Sequence, residues 1–259
     1  MTPPSRDQHH QPGWTIRFDW GLPGAIAVGQ GAAAVVVVDV LSFTTTLSVA
    51  IDEGVEVYPY RFRDATAATF AATRGAVLAI GRREAGPTGV SLSPLSVQEA
   101  SRSGALAVSR KLVLPSPNGS AISRQMAETG AVVVGACLRN AKAVARWITG
   151  GAVRGPIAVV AAGERWPGDL LRPSVEDMWG AGAVINALLQ AGVGPGSPEA
   201  MAAAAAYREV VRSVGASLAA CASGQELISD GFGDEIPLAA QENVSTRVPV
   251  LIGESFRSG

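Results

Sequence analysis

The first side chains whose types and spacing suit chemistry lie in DVLSFTTT, Asp39 to Thr46, where one acid stands ahead of Ser42, Thr44, Thr45 and Thr46. If a helix starts there, its free N–H groups, the positive end of its dipole and the hydroxyls make a place for an anion such as phosphate. The same residues also serve as ordinary helix caps. Further polar groups recur at intervals: Arg82, Arg83 and Glu84; Asn118, Gly119 and Ser120; Asn140; Glu164 and Arg165; and Ser174, Glu176 and Asp177. By type they divide into two sets. Arg82, Arg83, Gly119, Ser120 and Thr44 to Thr46 offer the guanidinium forks, backbone N–H groups and hydroxyls that a phosphate or sulfonate takes. Asp39, Glu84, Glu176 and Asp177 offer the carboxylate oxygens that a divalent cation of the magnesium type takes. Each set has a plainer use: Ser174, Glu176 and Asp177 match an N-cap with acids in the first turn, Asn118-Gly119 is a common turn pair, and Arg82 and Arg83 suit a surface.

The elements between these groups must position them. Val35 to Val38 is a short β-branched run, too short for a helix, and reads as a strand buried on both faces. Asp39 then falls at its carboxyl end, the edge where an open α/β sheet binds ligands. Strands are expected at Thr15 to Trp20 (an edge), Val55 to Tyr58, Val77 to Ile80, Leu112 to Leu114, Ala131 to Val134 and Ile157 to Ala161, with an edge strand at Val248 to Ile252. Helices are expected at Phe43 to Glu53, Asp64 to Arg74, through about Ser103, and at Ser120 to Thr129, Asn140 to Ile148, Val175 to Ala191, Glu199 to Val214 and Ser217 to Ser229. Gly21 to Gly31 reads as a glycine-rich connection, and Ala85 to Leu95 as a loop long enough to fold over a site. The alternation predicts a three-layer α/β/α fold with a largely parallel or mixed sheet. Five strands finish on the polar groups named above, so those groups collect at one edge.

Composition narrows the partners. Lys plus Arg is 21 against 22 for Asp plus Glu, and no basic cluster with interleaved aromatics occurs, which argues against nucleic acid and for a small ligand. Hydrophobic residues make up 47% but aromatics only 5%, so the core is built from small aliphatic side chains. Two cysteines, Cys137 and Cys221, make neither a disulfide framework nor a metal site and favour a reducing cytoplasm. Glycines and Pro23 interrupt the uncharged stretch Gly21 to Val38, so no membrane span is expected. Residues 1–14 read as a disordered N-terminal extension ahead of a single domain over 15–259, with a helical segment near 199–230. A homo-oligomer is compatible with the sequence.

Four ordered motifs, DVLSFTTT at Asp39 to Thr46, SPNGSA at Ser116 to Ala121, GACLRNAKAVA at Gly135 to Ala145 and VEDMWGAGAVI at Val175 to Ile185, together resemble the magnesium-dependent 2-phosphosulfolactate phosphatases. The resemblance runs from about Thr15 to Ile252. It implies a phosphomonoesterase acting on a small, doubly anionic acid on the route to sulfolactate and coenzyme M. It implies Mg²⁺ at Asp39, Glu176 and Asp177, phosphoryl oxygens at the helix starts of Thr44/Thr45 and Gly119/Ser120, and Arg82, beside Arg83, on the second anionic group. Asn118 and Asn140 stand at matching motif positions. Ser42-Phe43 replaces the family's usual Arg-Ala, and the charge order of its Gly-Glu-Arg loop is altered in Gly81 to Glu84, which suggests retained metal and phosphate chemistry with a changed or relaxed substrate. Glu84 would activate a water, or Asp39 would attack directly and form a phospho-aspartate; Leu41 stands where haloacid-dehalogenase chemistry has an acid. Two other classes remain: an isochorismatase-like cysteine hydrolase using Asp39, Lys111 and Cys137, against which Cys137 lies in an apolar stretch and Lys111 begins its strand; and a diverged, non-catalytic anion-binding domain.

Overall fold

A computed structural model describes residues 7–61, 64–86 and 89–259. Among the described residues eleven strands form: β1 (Ile16–Trp20), β2 (Ala34–Val38), β3 (Glu56–Tyr60), β4 (Val77–Leu78), β5 (Lys111–Pro115), β6 (Val132–Ala136), β7 (Ile157–Ala161), β8 (Glu164–Arg165), β9 (Leu171–Arg172), β10 (Pro249–Ile252) and β11 (Ser255–Ser258). The helices are α1 (Gly21–Gly29), α2 (Phe43–Asp52), α3 (Ala65–Arg74), α4 (Arg82–Ala85), α5 (Pro94–Ser103), α6 (Ala105–Ser109), α7 (Gly119–Ala127), α8 (Ala141–Trp147), α9 (Val175–Gln190), α10 (Pro198–Val210), α11 (Val214–Ala220), α12 (Ala222–Ser229) and α13 (Ile236–Ala239).

Nine strands make one mixed sheet in the order β1-β7-β2-β6-β10-β11-β3-β5-β4. β1, β7, β2 and β6 pair in parallel, as do β3, β5 and β4. The hairpin β10–β11 joins the two blocks through one residue pair on each side, Val250 to Val134 and Phe256 to Val57. β2 shows why the fold has three layers. Val36 and Val38 pack with Val144 of α8 and Val184 and Leu188 of α9 on one face, whereas Val35 and Val37 pack with Ala25 and Val28 of α1, Leu47 of α2 and Ile122 of α7 on the other. Period-two side-chain alternation in a strand that is apolar throughout demands cover on both faces. α9 and α10 cross closely, and a Cβ on Gly182 would stand 2.1 Å from the Ala203 carbonyl oxygen. Among the described residues no helix is long and apolar enough to cross a membrane.

The structure departs from the sequence expectations most clearly in four places. Gly21 to Gly31 is not a connection: its first nine residues are α1, with Pro23 in the first turn, where a missing N–H is tolerated, and Ala25 and Val28 buried on the sheet. Val248 to Ile252 is not at an edge. β10 lies inside the sheet because β11, absent from the expectations, closes a hairpin with it and carries it to β3. The Ser217 to Ser229 helix breaks at Cys221 into α11 and α12. Of the expected N-terminal extension, residues 1–6 lie outside the described residues, while Asp7–His10 forms a 3-10 turn. Gln11 then brackets Phe18: its Nε2 donates to the Phe18 carbonyl (2.8 Å) and its Oε1 accepts from the Phe18 N–H (3.0 Å). Both bonds satisfy backbone groups that edge strand β1 would otherwise leave unpaired.

Candidate active site

The loop leaving β2 folds back on itself before α2 begins. Thr44 donates its hydroxyl to the Asp39 carbonyl (2.7 Å) and accepts from the Asp39 N–H (2.9 Å), while the Thr45 hydroxyl donates to the Val40 carbonyl (2.7 Å). Both hydroxyls are buried and build the turn; the structure does not turn them outward to a ligand. The turn aims the Asp39 carboxylate along two helix starts at once. Its Oδ1 accepts from the Phe43 N–H of α2 and its Oδ2 from the Gly119 N–H of α7, each at 3.0 Å. Donors at helix N-termini favour the charged form of an acid. Convergence of the loops after β2 and β5 therefore rests on these bonds as much as on strand order.

Asp177, in the first turn of α9, ties a third loop to the first. Its Oδ1 accepts from the Val40 N–H (2.7 Å) and its Oδ2 from the Gly163 N–H just after β7 (2.8 Å). Next in sequence comes a chain of polar contacts. Glu164 accepts from Asn118 Nδ2 (2.9 Å), and Asn118 Oδ1 accepts from Arg165 Nε (3.1 Å). Asp39, Glu176 and Asp177 are each 5% exposed or less. Burial and the charges of Asp39 and Glu176 push the Glu164 carboxyl up to about 7, against lowering by Asn118 and Arg172. The same three causes, burial first, raise the Asp177 carboxyl well above its ordinary value despite its two N–H donors. Acids crowded out of water in this way resist ionising together, and a bound divalent cation reverses that balance. By type, the carboxylates gathered here are those of Asp39, Glu164, Glu176 and Asp177. Among the described residues no three such side chains form a ready-made cage.

Other expected site residues are placed elsewhere. Ser120 donates to the Leu114 carbonyl (2.8 Å), and Asn140 accepts from the Cys137 N–H (2.9 Å) and donates to the Gly135 carbonyl; both are fully buried, closing the turns after β5 and β6. A buried polar side chain must find a partner, and the nearest are backbone groups of its own turn. Arg82 forks onto Glu235 (2.9 and 2.8 Å) and touches the Ser42 hydroxyl. Arg83 pairs with Asp230 on the surface (2.7 Å). Glu84 lines a cavity with Arg82, Arg83, Leu227, Asp230 and Phe232, which Asp39, Glu164, Glu176 and Asp177 do not line. Cys137 is completely buried, which raises its thiol, and Lys111 heads β5 at the end opposite Asn118. Glu164 and Arg165 stand at a strand end in the sequence, yet nothing there assigns them a role. The signal is their position directly after the all-apolar β7 and Gly163, whose φ of 67° makes the chain turn. Glu235 carries no such signal.

A family model described as 2-phosphosulpholactate phosphatase matches residues 23–254. Two relatives named "Probable 2-phosphosulfolactate phosphatase" are similar over nearly the whole chain. One, from a Cyanothece species, is 28% identical, covering 90% of this chain and 95% of its own length. The other, from Deinococcus radiodurans, is 30% identical, covering 86% and 90%.

Proposed function

Because this chain belongs to the 2-phosphosulpholactate phosphatase family, and so to the phosphoric monoester hydrolases, we propose that it is a magnesium-dependent phosphatase that cleaves 2-phosphosulfolactate, or a close phosphoacid, to the free hydroxy acid and phosphate. The observation that supports this reading is the Asp39 carboxylate, buried at the end of β2, fixed by N–H groups of two helix starts and crowded by Glu164, Glu176 and Asp177. The donor set is all carboxylate oxygen, which suits magnesium. That ion is commonly held by only one or two carboxylates, with water and substrate phosphate completing its shell, so the lack of a closed cage is no obstacle. Asp39 and Glu176 would hold it, and Asp177 would keep the β2 and β7 loops in register. When bound, the ion supplies charge neutralisation at the phosphoryl oxygens. Asn118 orients Glu164, whose carboxyl changes charge near neutrality; Glu164, in place of Glu84, takes the proton of the attacking water. The start of α7 presents its dipole to the phosphoryl group.

Phosphate release from 2-phosphosulfolactate, with magnesium or with EDTA, tests the reading. Release that stops with EDTA and returns with magnesium supports it. Release indifferent to EDTA removes the metal, and no release by folded, magnesium-supplied protein removes the phosphatase and favours an anion-binding domain.

The raised carboxyls also predict a pH dependence of stability. Glu164 holds its proton more tightly in the folded chain than at the ordinary value of 4.5. Its contribution is therefore complete below about 4.5 and lost as pH rises through about 7, amounting to at most roughly 3 kcal/mol. Asp177 acts in the same direction. The melting temperature in EDTA should fall between pH 5 and pH 8, and Glu164→Gln should flatten part of that slope. Magnesium should raise the melting temperature more at pH 8 than at pH 5. Equal shifts at both pH values would show that the ion does not bind beside these acids.

A further inference from the structure

Arg165 lines a cavity of about 250 Å³ together with Arg61, Asn118, Glu164 and the apolar side chains of Leu22 and Ile122. At about 30 Å³ per water, it admits a molecule of roughly eight waters' bulk, which suits a small phosphoacid. The cavity opens where the turns after β5 and β7 meet the start of α1, beside the residues that fix Asp39.

The charges around the site separate its arginines. Arg82 is neutralised by the two-point contact with Glu235, whose side chain is only 4% exposed, and that buried carboxylate cannot release its partner without being left unpaired. Arg83 is committed to Asp230 outside the Asp39 group. Arg172 pairs with Glu226 and lies over the Trp166 ring. Arg165 differs in what holds it. Its Nε donates to Asn118 Oδ1 and its Nη2 to the Pro117 carbonyl, both at 3.1 Å and both neutral acceptors. Its charged partner at Nη1 is Asp169, 76% exposed. An exposed pair of that kind contributes little to stability, so an incoming anion displaces it at little cost. Of a guanidinium's five N–H donors these contacts take three, leaving one on each terminal nitrogen for a bidentate contact. Glu164 lies across Asn118 from this guanidinium, so that Asn118 bridges the two.

We propose that Arg165, oriented by Asn118 and Pro117, is the specificity-determining residue that receives the second anionic group of the substrate, a carboxylate or sulfonate, in the role the sequence suggests for Arg82. This rests on the phosphatase reading, which it extends to the non-phosphoryl end of the substrate.

The test compares wild type, Arg165→Gln, Arg165→Lys and Arg82→Gln on 2-phosphosulfolactate and on p-nitrophenyl phosphate, which lacks a second acid. Losing a charged hydrogen-bonded contact costs a factor of about 10–100 in binding. Arg165→Gln should lower the ratio of kcat/KM between the two substrates by about that factor, mainly through KM, with Arg165→Lys intermediate. An unchanged ratio, or a ratio that falls in Arg82→Gln instead, overturns the proposal. Calorimetric binding of sulfoacetate, which carries a sulfonate and a carboxylate, reads the same contact without turnover. It should weaken about 10–100-fold in Arg165→Gln, and equal affinity in folded wild type and variant also overturns the proposal. If wild type releases no phosphate yet sulfoacetate binding still depends on Arg165, the phosphatase reading fails and the anion site stands.

Discussion

Asp39→Asn should reduce phosphate release by at least about 10³-fold while leaving the protein folded. The substitution keeps the shape of the side chain but removes its charge and turns one acceptor into a donor. Because the Asp39 oxygens face the N–H groups of Phe43 and Gly119, the new amide must present its NH₂ to one of them. One buried backbone donor is then left unsatisfied, at a cost of about 1–3 kcal/mol. Against that stands relief: the Asp39 charge is among the causes that raise Glu164 and Asp177, and removing it lets both ionise more easily. The two effects oppose each other, so the melting temperature should move by only a few degrees while activity disappears. The same relief should shift the pH dependence of stability, with the fall that centres near pH 7 in wild type moving to lower pH. A variant that keeps more than a tenth of wild-type activity would remove Asp39 from the reaction.

Gly119→Ala should be the most destabilising single-methyl change at the site. A Cβ at this position would stand 2.3 Å from Phe43 Cδ1 and 2.8 Å from Asp39 Oδ2. Phe43 cannot yield, being completely buried with its ring packed edge-on against Phe256 at 6.3 Å. The start of α7 must move away instead, breaking the Gly119 bond to Asp39. Overpacking of this kind costs about 1–3 kcal/mol, and at about 2–4 °C per kcal/mol for a chain of this size the melting temperature should fall by several degrees. Activity should fall much further, because the displaced segment also carries Asn118 and with it the placement of Glu164 and Arg165. Gly130→Ala is the control. There the φ of 80° strains any side chain, but nothing lies within 4 Å, so only the backbone cost of about 1 kcal/mol applies and activity should persist.

Local pattern carried the sequence reading a long way, for a physical reason. A β-branched run such as Val35 to Val38 has one stable use, as a strand covered on both faces, and the polar residue that interrupts it must come out at an edge. Asp39, Asn118 and Glu164 could therefore be gathered at one edge from sequence alone, and the four ordered motifs pointed to the family and added Glu176 and Asp177. The failures share a cause as well. Gly21 to Gly29 is glycine-rich and uncharged, and only packing on the sheet makes it a helix. β10 reads as an edge strand until β11, beyond the last residue expected in any strand, pairs with it and carries it into the interior.

Partner choice among side chains was decided by tertiary structure alone. Asp177 meets the Val40 N–H 137 residues away, and Arg82 meets Glu235 across 153. Such pairs depend on which loops the finished sheet brings together and on which groups are left buried and in need of a partner. Thr44, Thr45, Ser120 and Asn140 have the composition of ligand-binding residues, but burial turned their polar atoms onto the backbone. Arg82 has the composition of an anion site, but a buried carboxylate claimed its charge. Strand and helix periodicity acts over a few residues and is written locally; desolvation and charge pairing act between whatever the fold places in contact, and at this site they separate the residues that hold the turns from those left to carry the proposed chemistry.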